Sequence, residues 1–191
     1  VRGLCGSIAY RPRTGAGKEP DVLDLVLYGP QGPQPLGGSA PVRAKVRNSG
    51  ERAVWIAGVL DGSEDGIRFP HYLPAVTLAD GGRTVARPGP AEDPLVGPLR
   101  VGHLLRLAPG ESFDPTAGAG CLPLTTFAAF APQAPGRYRY TLTLSTEAGR
   151  PEEWLGGFGL PSGAEREELL DLIARVPRIT VSAAPLILEF R

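Results

Sequence analysis

From Gly136 to Ser145 the chain alternates with a period of two: Tyr138, Tyr140, Leu142 and Leu144 share one face, and Arg137, Arg139, Thr141, Thr143 and Ser145 share the other. Ten residues in this phase, rich in aromatic and β-branched types, predict a half-buried antiparallel strand. Pro135-Gly136 ahead of it is a turn signal, since Pro fixes its own φ and Gly tolerates positive values.

The rest of the chain can be ordered around that strand. Ser7 to Tyr10 reads as a short strand on an N-terminal arm, and Arg11 to Pro20 as a polar linker, so residues 1–20 are set apart from a single domain over 21–191. Asp21 to Tyr28 puts Leu23, Leu25 and Leu27 on one face of a strand. Gly29 to Ala40, with two Gly-Pro steps and a Gly-Gly, is a loop. Pro41 to Asn48 alternates Val42, Ala44 and Val46 inward with Arg43, Lys45 and Arg47 outward. The turn at Asn48–Glu51 and the apolar run Ala53–Leu60 then suggest a β-hairpin, with Trp55 as a core anchor. Between Asp61 and Pro98 Gly and Pro cut the chain into pieces; Ile67–Phe69 and Ala75–Leu78 are expected as edge fragments. Arg100 to Leu107 reads as a strand with Val101, His103, Leu105 and Leu107 on one side. A short segment follows at Phe113, and another is expected over Thr125–Phe130.

The end of the chain changes character. Ser162-Gly163-Ala164-Glu165 fits a capping box, and Leu169, Leu170, Leu172, Ile173 and Val176 supply one apolar face, so a helix is expected over about 164–176. Pro177 ends it. Ile179, Val181 and Ala183 then share one phase and Leu186, Leu188 and Phe190 the other, so Ala184-Pro185 marks a bulge or a change of sheet. Seven to nine short strands separated by turns, with one helix before the last strand, imply an all-β fold, an immunoglobulin-like antiparallel β-sandwich. Its core is expected to hold Val46, Trp55, Leu105, Tyr138, Tyr140 and Leu142.

Three stretches carry a family resemblance: Val46-Arg47-Asn48-Ser49-Gly50-Glu51-Arg52-Ala53-Val54, Leu107-Ala108-Pro109-Gly110-Glu111-Ser112 and Pro135-Gly136-Arg137-Tyr138. In this order they resemble bacterial immunoglobulin-like domains, including the intracellular proteinase inhibitor type, over ~100 residues of sandwich. Tyr138, early in its strand, also resembles the tyrosine corner of such sandwiches. The motifs are turn chemistry and speak to fold more than to function. No inhibitory loop can be assigned residue by residue.

Composition narrows the function classes. Of 191 residues 42% are hydrophobic and 21% charged, with 20 basic and 20 acidic side chains balancing to zero. No global field would recruit nucleic acid, and no apolar run reaches the ~20 residues of a spanning helix. There is no methionine, which fits an end processed on export or otherwise trimmed; an exported or cell-envelope location is favoured over a cytoplasmic one. Cys5 and Cys121 lack the close partners of zinc or redox motifs. They are two buried thiols or one disulfide, which would stabilise by roughly 4–5 kcal/mol in the chain-entropy model. His71 and His103, far apart in sequence, make a poor ligand set, so no metal or other cofactor is expected. No phosphate-binding loop, dinucleotide fingerprint or nucleophile elbow occurs. The acidic pairs Glu64-Asp65, Glu92-Asp93, Glu152-Glu153 and Glu167-Glu168 fit solvated loops and a helix start.

Two basic stripes remain, Arg43, Lys45 and Arg47 on one strand and Arg137 and Arg139 on another. They read as solvated strand faces or as a surface for an anionic partner. The sequence therefore suggests a non-catalytic module that binds or assembles through protein contacts. The alternatives are a regulatory domain of the proteinase-inhibitor type, or a hydrolase with an unrecognised site. The N-terminal arm either docks on its own domain, where a Cys5–Cys121 bond would lock it, or pairs with a neighbouring subunit or partner by strand addition or swapping.

Overall fold

A computed structural model describes residues 22–82, 84–86, 96–117, 124 and 126–191. The N-terminal arm, Cys5, Cys121 and the Glu92-Asp93 pair lie outside the described residues. Within them the fold is an antiparallel β-sandwich with a single α-helix.

One sheet is built from β1 (Leu23–Tyr28), β2 (Arg43–Asn48) and the two-residue β6 (Ser112–Phe113). Its order is β1-β2-β6, with Leu23 opposite Asn48 and Tyr28 opposite Arg43. The facing sheet is centred on β7 (Gly136–Ser145), which pairs with β4 (His71–Leu78) on one side and with β8 (Thr180–Ser182) and β9 (Leu186–Phe190) on the other. Leu23, Leu25, Leu27, Ala44 and Val46 from the first sheet meet Tyr72, Val76, Tyr138, Tyr140, Leu142 and Leu144 from the second in one buried cluster. The alternation read from the sequence is the cause. Each strand has one apolar face, and the sandwich covers both faces together.

The sequence phase change near the C-terminus is a bulge. Ala183 donates its N–H to the Leu142 carbonyl at 3.0 Å, and Leu186 stands opposite Tyr140. Ala184 and Pro185 therefore oppose the single residue Thr141, and the strand keeps the same neighbour while its side chains change phase.

A third, two-stranded ribbon corrects the expected hairpin. β3 (Val54–Ala57) does not return along β2; it pairs with β5 (Leu104–Leu107), Val54 opposite Leu107 and Ala57 opposite Leu104. The ribbon is covered on both faces. Val54, Ile56, Leu105 and Leu107 turn to the sandwich core, whereas Trp55, Ala57 and Leu104 turn to a second cluster with Leu99, Trp154, Leu155, Leu169, Ile173 and Val176. Trp55 is thus half-buried in the second cluster, not an anchor of the first. Coverage on both sides explains why Ala53–Leu60 reads as an unbroken apolar run without alternation.

The helix α1 (Gly163–Ile173) lays Leu169 and Ile173 on this second cluster. It ends near the expected boundary, with Val176 in the turn beyond it. The expected capping box does not form: the Ser162 side chain makes no cap hydrogen bond, and Glu165 instead pairs with Arg100 at 3.1 Å. Three further expectations shift. Val101–His103 is a 3-10 turn leading into β5, Ile67–Phe69 lies in a run of turns and bends, and the described residues 126–129 form a turn.

Gly156 shows how tightly the second cluster is tied. Leu99 donates to the Leu155 carbonyl at 2.9 Å and Gly157 to the Val96 carbonyl at 3.0 Å. Between these bonds Gly156 has φ +95° and its Cα faces the Gly97 carbonyl with no room for a β-carbon.

Candidate functional site

The side chains on the outer face of β1 and β2 are set by register. Asp24 stands opposite Arg47, Val26 opposite Lys45 and Tyr28 opposite Arg43. Their neighbours in sequence, Leu23, Leu25, Leu27, Ala44 and Val46, are buried, so alternation forces these six outward. Val26 is 41% exposed and Tyr28 46%.

The three cations of this face differ in their surroundings. Arg43 reaches Asp114 at 2.7 Å, and that carboxylate is held in place by the Thr116 backbone N–H at 2.8 Å. Lys45 places its Nζ 5.3 Å from the centre of the Tyr28 ring, a cation–π approach. Arg47 forms no ion pair among the described residues. The patch therefore offers an aromatic ring, a β-branched side chain and three cations on a rigid ladder.

Arg137 and Arg139 do not join it. They lie on the outer face of β7, in the facing sheet, and Arg139 donates to the Ala79 carbonyl at 3.3 Å. Because the inner faces of both sheets share one core, the two stripes point away from each other. The structure separates the five basic residues into two surfaces.

The histidines are also apart from this patch. His71 opens β4 and stacks on Phe69 with ring centres 3.7 Å apart. Burial lowers its pKa, against the pull of Glu153. His103 is not on an interior strand face: it closes the 3-10 turn, half-buried, where its Nδ1 accepts the Arg100 backbone N–H at 3.1 Å. Its pKa is lowered by burial first and then by Arg68 and Arg100, with Asp61 opposing. Among the described residues no three His, Cys, Asp or Glu side chains gather as a metal site.

Two features escape sequence reasoning. Arg68 is buried, its guanidinium bonded to the Asp61 carboxylate and to the Gly97 carbonyl at 3.0 Å, and Asp61 accepts the Gly97 N–H at 2.7 Å. Nothing in the spacing of Asp61 and Arg68 announces this tie. The exposure of Val26 and Tyr28 could have been found, since both occupy the outward phase of a strand whose inward phase is all leucine. A cleft of about 540 Å³ runs between Leu78, Val85, Ala129 and Tyr138, and its described lining carries no carboxylate, histidine or lysine.

Comparison with protein-family models and with curated proteins gives no match to this chain. What the fold and this surface define is an all-β antiparallel sandwich presenting an aromatic and cationic strand face.

Proposed function

We propose that the chain is a non-catalytic, immunoglobulin-like binding or assembly module that acts through protein–protein contacts, with the outer face of β1 and β2 as its contact surface. The observation that carries this reading is the half-exposed pair Val26 and Tyr28 set in register beside Arg43, Lys45 and Arg47. Tyr and Arg are enriched where protein interfaces draw their binding energy, and a rigid ladder limits the ordering cost of binding. The partner surface that fits has an apolar centre flanked by carboxylates. The resemblance of the turns around Asn48, Gly110 and Gly136 to bacterial immunoglobulin-like domains supports the class of module.

A photo-crosslinking residue placed at Tyr28, or at Thr141 on the outer face of β7 as a control, tests the surface in extracts of the producing cell. One defined adduct from position 28, absent from position 141 and lost when Lys45→Glu and Arg47→Glu are added, is the expected result. Adducts that are equal at both positions, or unaffected by charge reversal, would reject this surface.

A further inference from the structure

The edge of β1 poses a separate question from its outer face. Ser49 donates its N–H to the Val22 carbonyl, at 3.1 Å, so Val22 is a bonded position of the β1–β2 ladder. Asn48 turns its own N–H and C=O the other way, to Glu111 and Gly110. In an antiparallel pair the bonded positions alternate. Asp24, Val26 and Tyr28 therefore spend their backbone groups on β2, and Leu23, Leu25 and Leu27 aim theirs away from it. No described residue bonds to the backbone of these three leucines at that edge.

The other long edges are covered in part. The Val85 N–H bonds the Val76 carbonyl and the Tyr72 N–H bonds the Ser63 carbonyl beside β4, while Gln34 bonds Glu189 and Arg191 beside β9. Of the devices that usually protect an edge, β1 lacks three, since no proline, no lysine and no bulge interrupts Leu23–Tyr28; its one charge is Asp24.

We infer that this edge pairs with β1 of a second copy of the chain, antiparallel about a two-fold axis through Val26. Pairing must bring outward-facing backbone groups together, and Leu25 opposite Leu27 of the second copy does so twice by symmetry. The same register sets Val26 against its own counterpart in a non-bonded pair and extends the apolar face across the axis. It also sets Asp24 opposite Tyr28 of the second copy, whose ring already carries Lys45. A carboxylate thus meets a hydroxyl and a cation on each side, a self-complementary arrangement of the kind two-fold interfaces require. The result is a six-stranded sheet in the order β6-β2-β1-β1-β2-β6. The inference stands apart from the outer-face reading, since a monomeric chain would leave that face intact.

Sedimentation of the full chain is expected to give twice the monomer mass at high concentration. Val26→Lys, which puts two ammonium groups face to face on the axis, is expected to return it to one monomer mass, with the melting temperature that the unsubstituted chain shows when diluted to monomer. In a chain whose native cysteines are Ser, Val26→Cys is expected to form a covalent dimer on mild oxidation, because facing non-bonded residues lie ~4.5 Å apart at Cα, within disulfide range; Thr141→Cys is expected to remain monomeric. Amide hydrogen exchange at Leu25 and Leu27 is expected to quicken on dilution and in Val26→Lys. A monomer at every concentration overturns the inference. Slow exchange at Leu25 and Leu27 that ignores both dilution and Val26→Lys also overturns it, and would assign the edge to a segment of the same chain.

Discussion

Arg68 and Asp61 form an ion pair in which the arginine side chain is 1% exposed and both partners also bond the backbone of Gly97. The pair closes the loop between β3 and β4 onto the segment that carries Leu99 into the second cluster. Removing one member leaves a charge in a site with little water. Arg68→Ala and Asp61→Asn are each expected to cost about 3–5 kcal/mol in denaturant unfolding. A double substitution to apolar residues of similar volume is expected to cost less than the two single changes added. Additive losses would show that the residues act independently.

Leu142 and Trp55 separate the two cores. Leu142 is fully buried at the centre of β7, and Leu142→Ala is expected to cost about 2–5 kcal/mol. Trp55 is half-buried on the far face of the β3–β5 ribbon, so Trp55→Phe is expected to cost less than Leu142→Ala. A loss below about 0.5 kcal/mol for Leu142→Ala would contradict the packed core described for β7.

The contrast between these residues also shows what the sequence could reveal. β1, β2 and β7 are legible because each has one face in the core and one in water, which writes a period of two into the chain. β3 and β5 are buried on both faces, so Trp55 and Ile56 look equally apolar and their directions cannot be read. The hairpin after Asn48 failed for a related reason. A turn signal states that the chain bends and says nothing about which sheet it enters. The basic residues of β2 were visible as a stripe, but their separation from Arg137 and Arg139 depends on which sheets face each other. The tie between Asp61 and Arg68 arises from a fold of irregular turns that no periodicity records.

Tyr138 and Tyr72 make opposite predictions for the same change. The Tyr138 hydroxyl donates to the Ala134 carbonyl at 2.8 Å, four residues upstream. Tyr138→Phe is expected to cost about 0.5–1.5 kcal/mol. The Tyr72 hydroxyl is fully buried with no hydrogen-bond partner among the described residues, and burial pushes its pKa far up. Tyr72→Phe removes an unpaired polar atom and is expected to be neutral or to stabilise by up to about 1 kcal/mol. Thermal melts of the two variants check both, and a loss at position 72 equal to that at 138 would contradict the assignment.

His71 and His103 should make the fold sensitive to mild acid. Burial holds the pKa of each below the ordinary 6.5, so the folded chain resists protonation that the unfolded chain accepts. The unfolded state then binds more protons, and stability, complete above about pH 6.5, falls as the pH drops through that value toward the folded pKa. At His103 there is a local cause as well: protonation of Nδ1 would remove the acceptor of the Arg100 N–H. Glu153 beside His71 and Asp61 near His103 work against the effect, and Arg68 and Arg100 reinforce it at His103. The midpoint of denaturant unfolding is expected to fall between about pH 7.5 and about pH 5.5, before most carboxylates titrate. In the double variant His71→Gln, His103→Gln the fall is expected to be smaller. A wild-type midpoint that holds steady or rises over this range would show that neither imidazole is shielded from protonation in the folded chain.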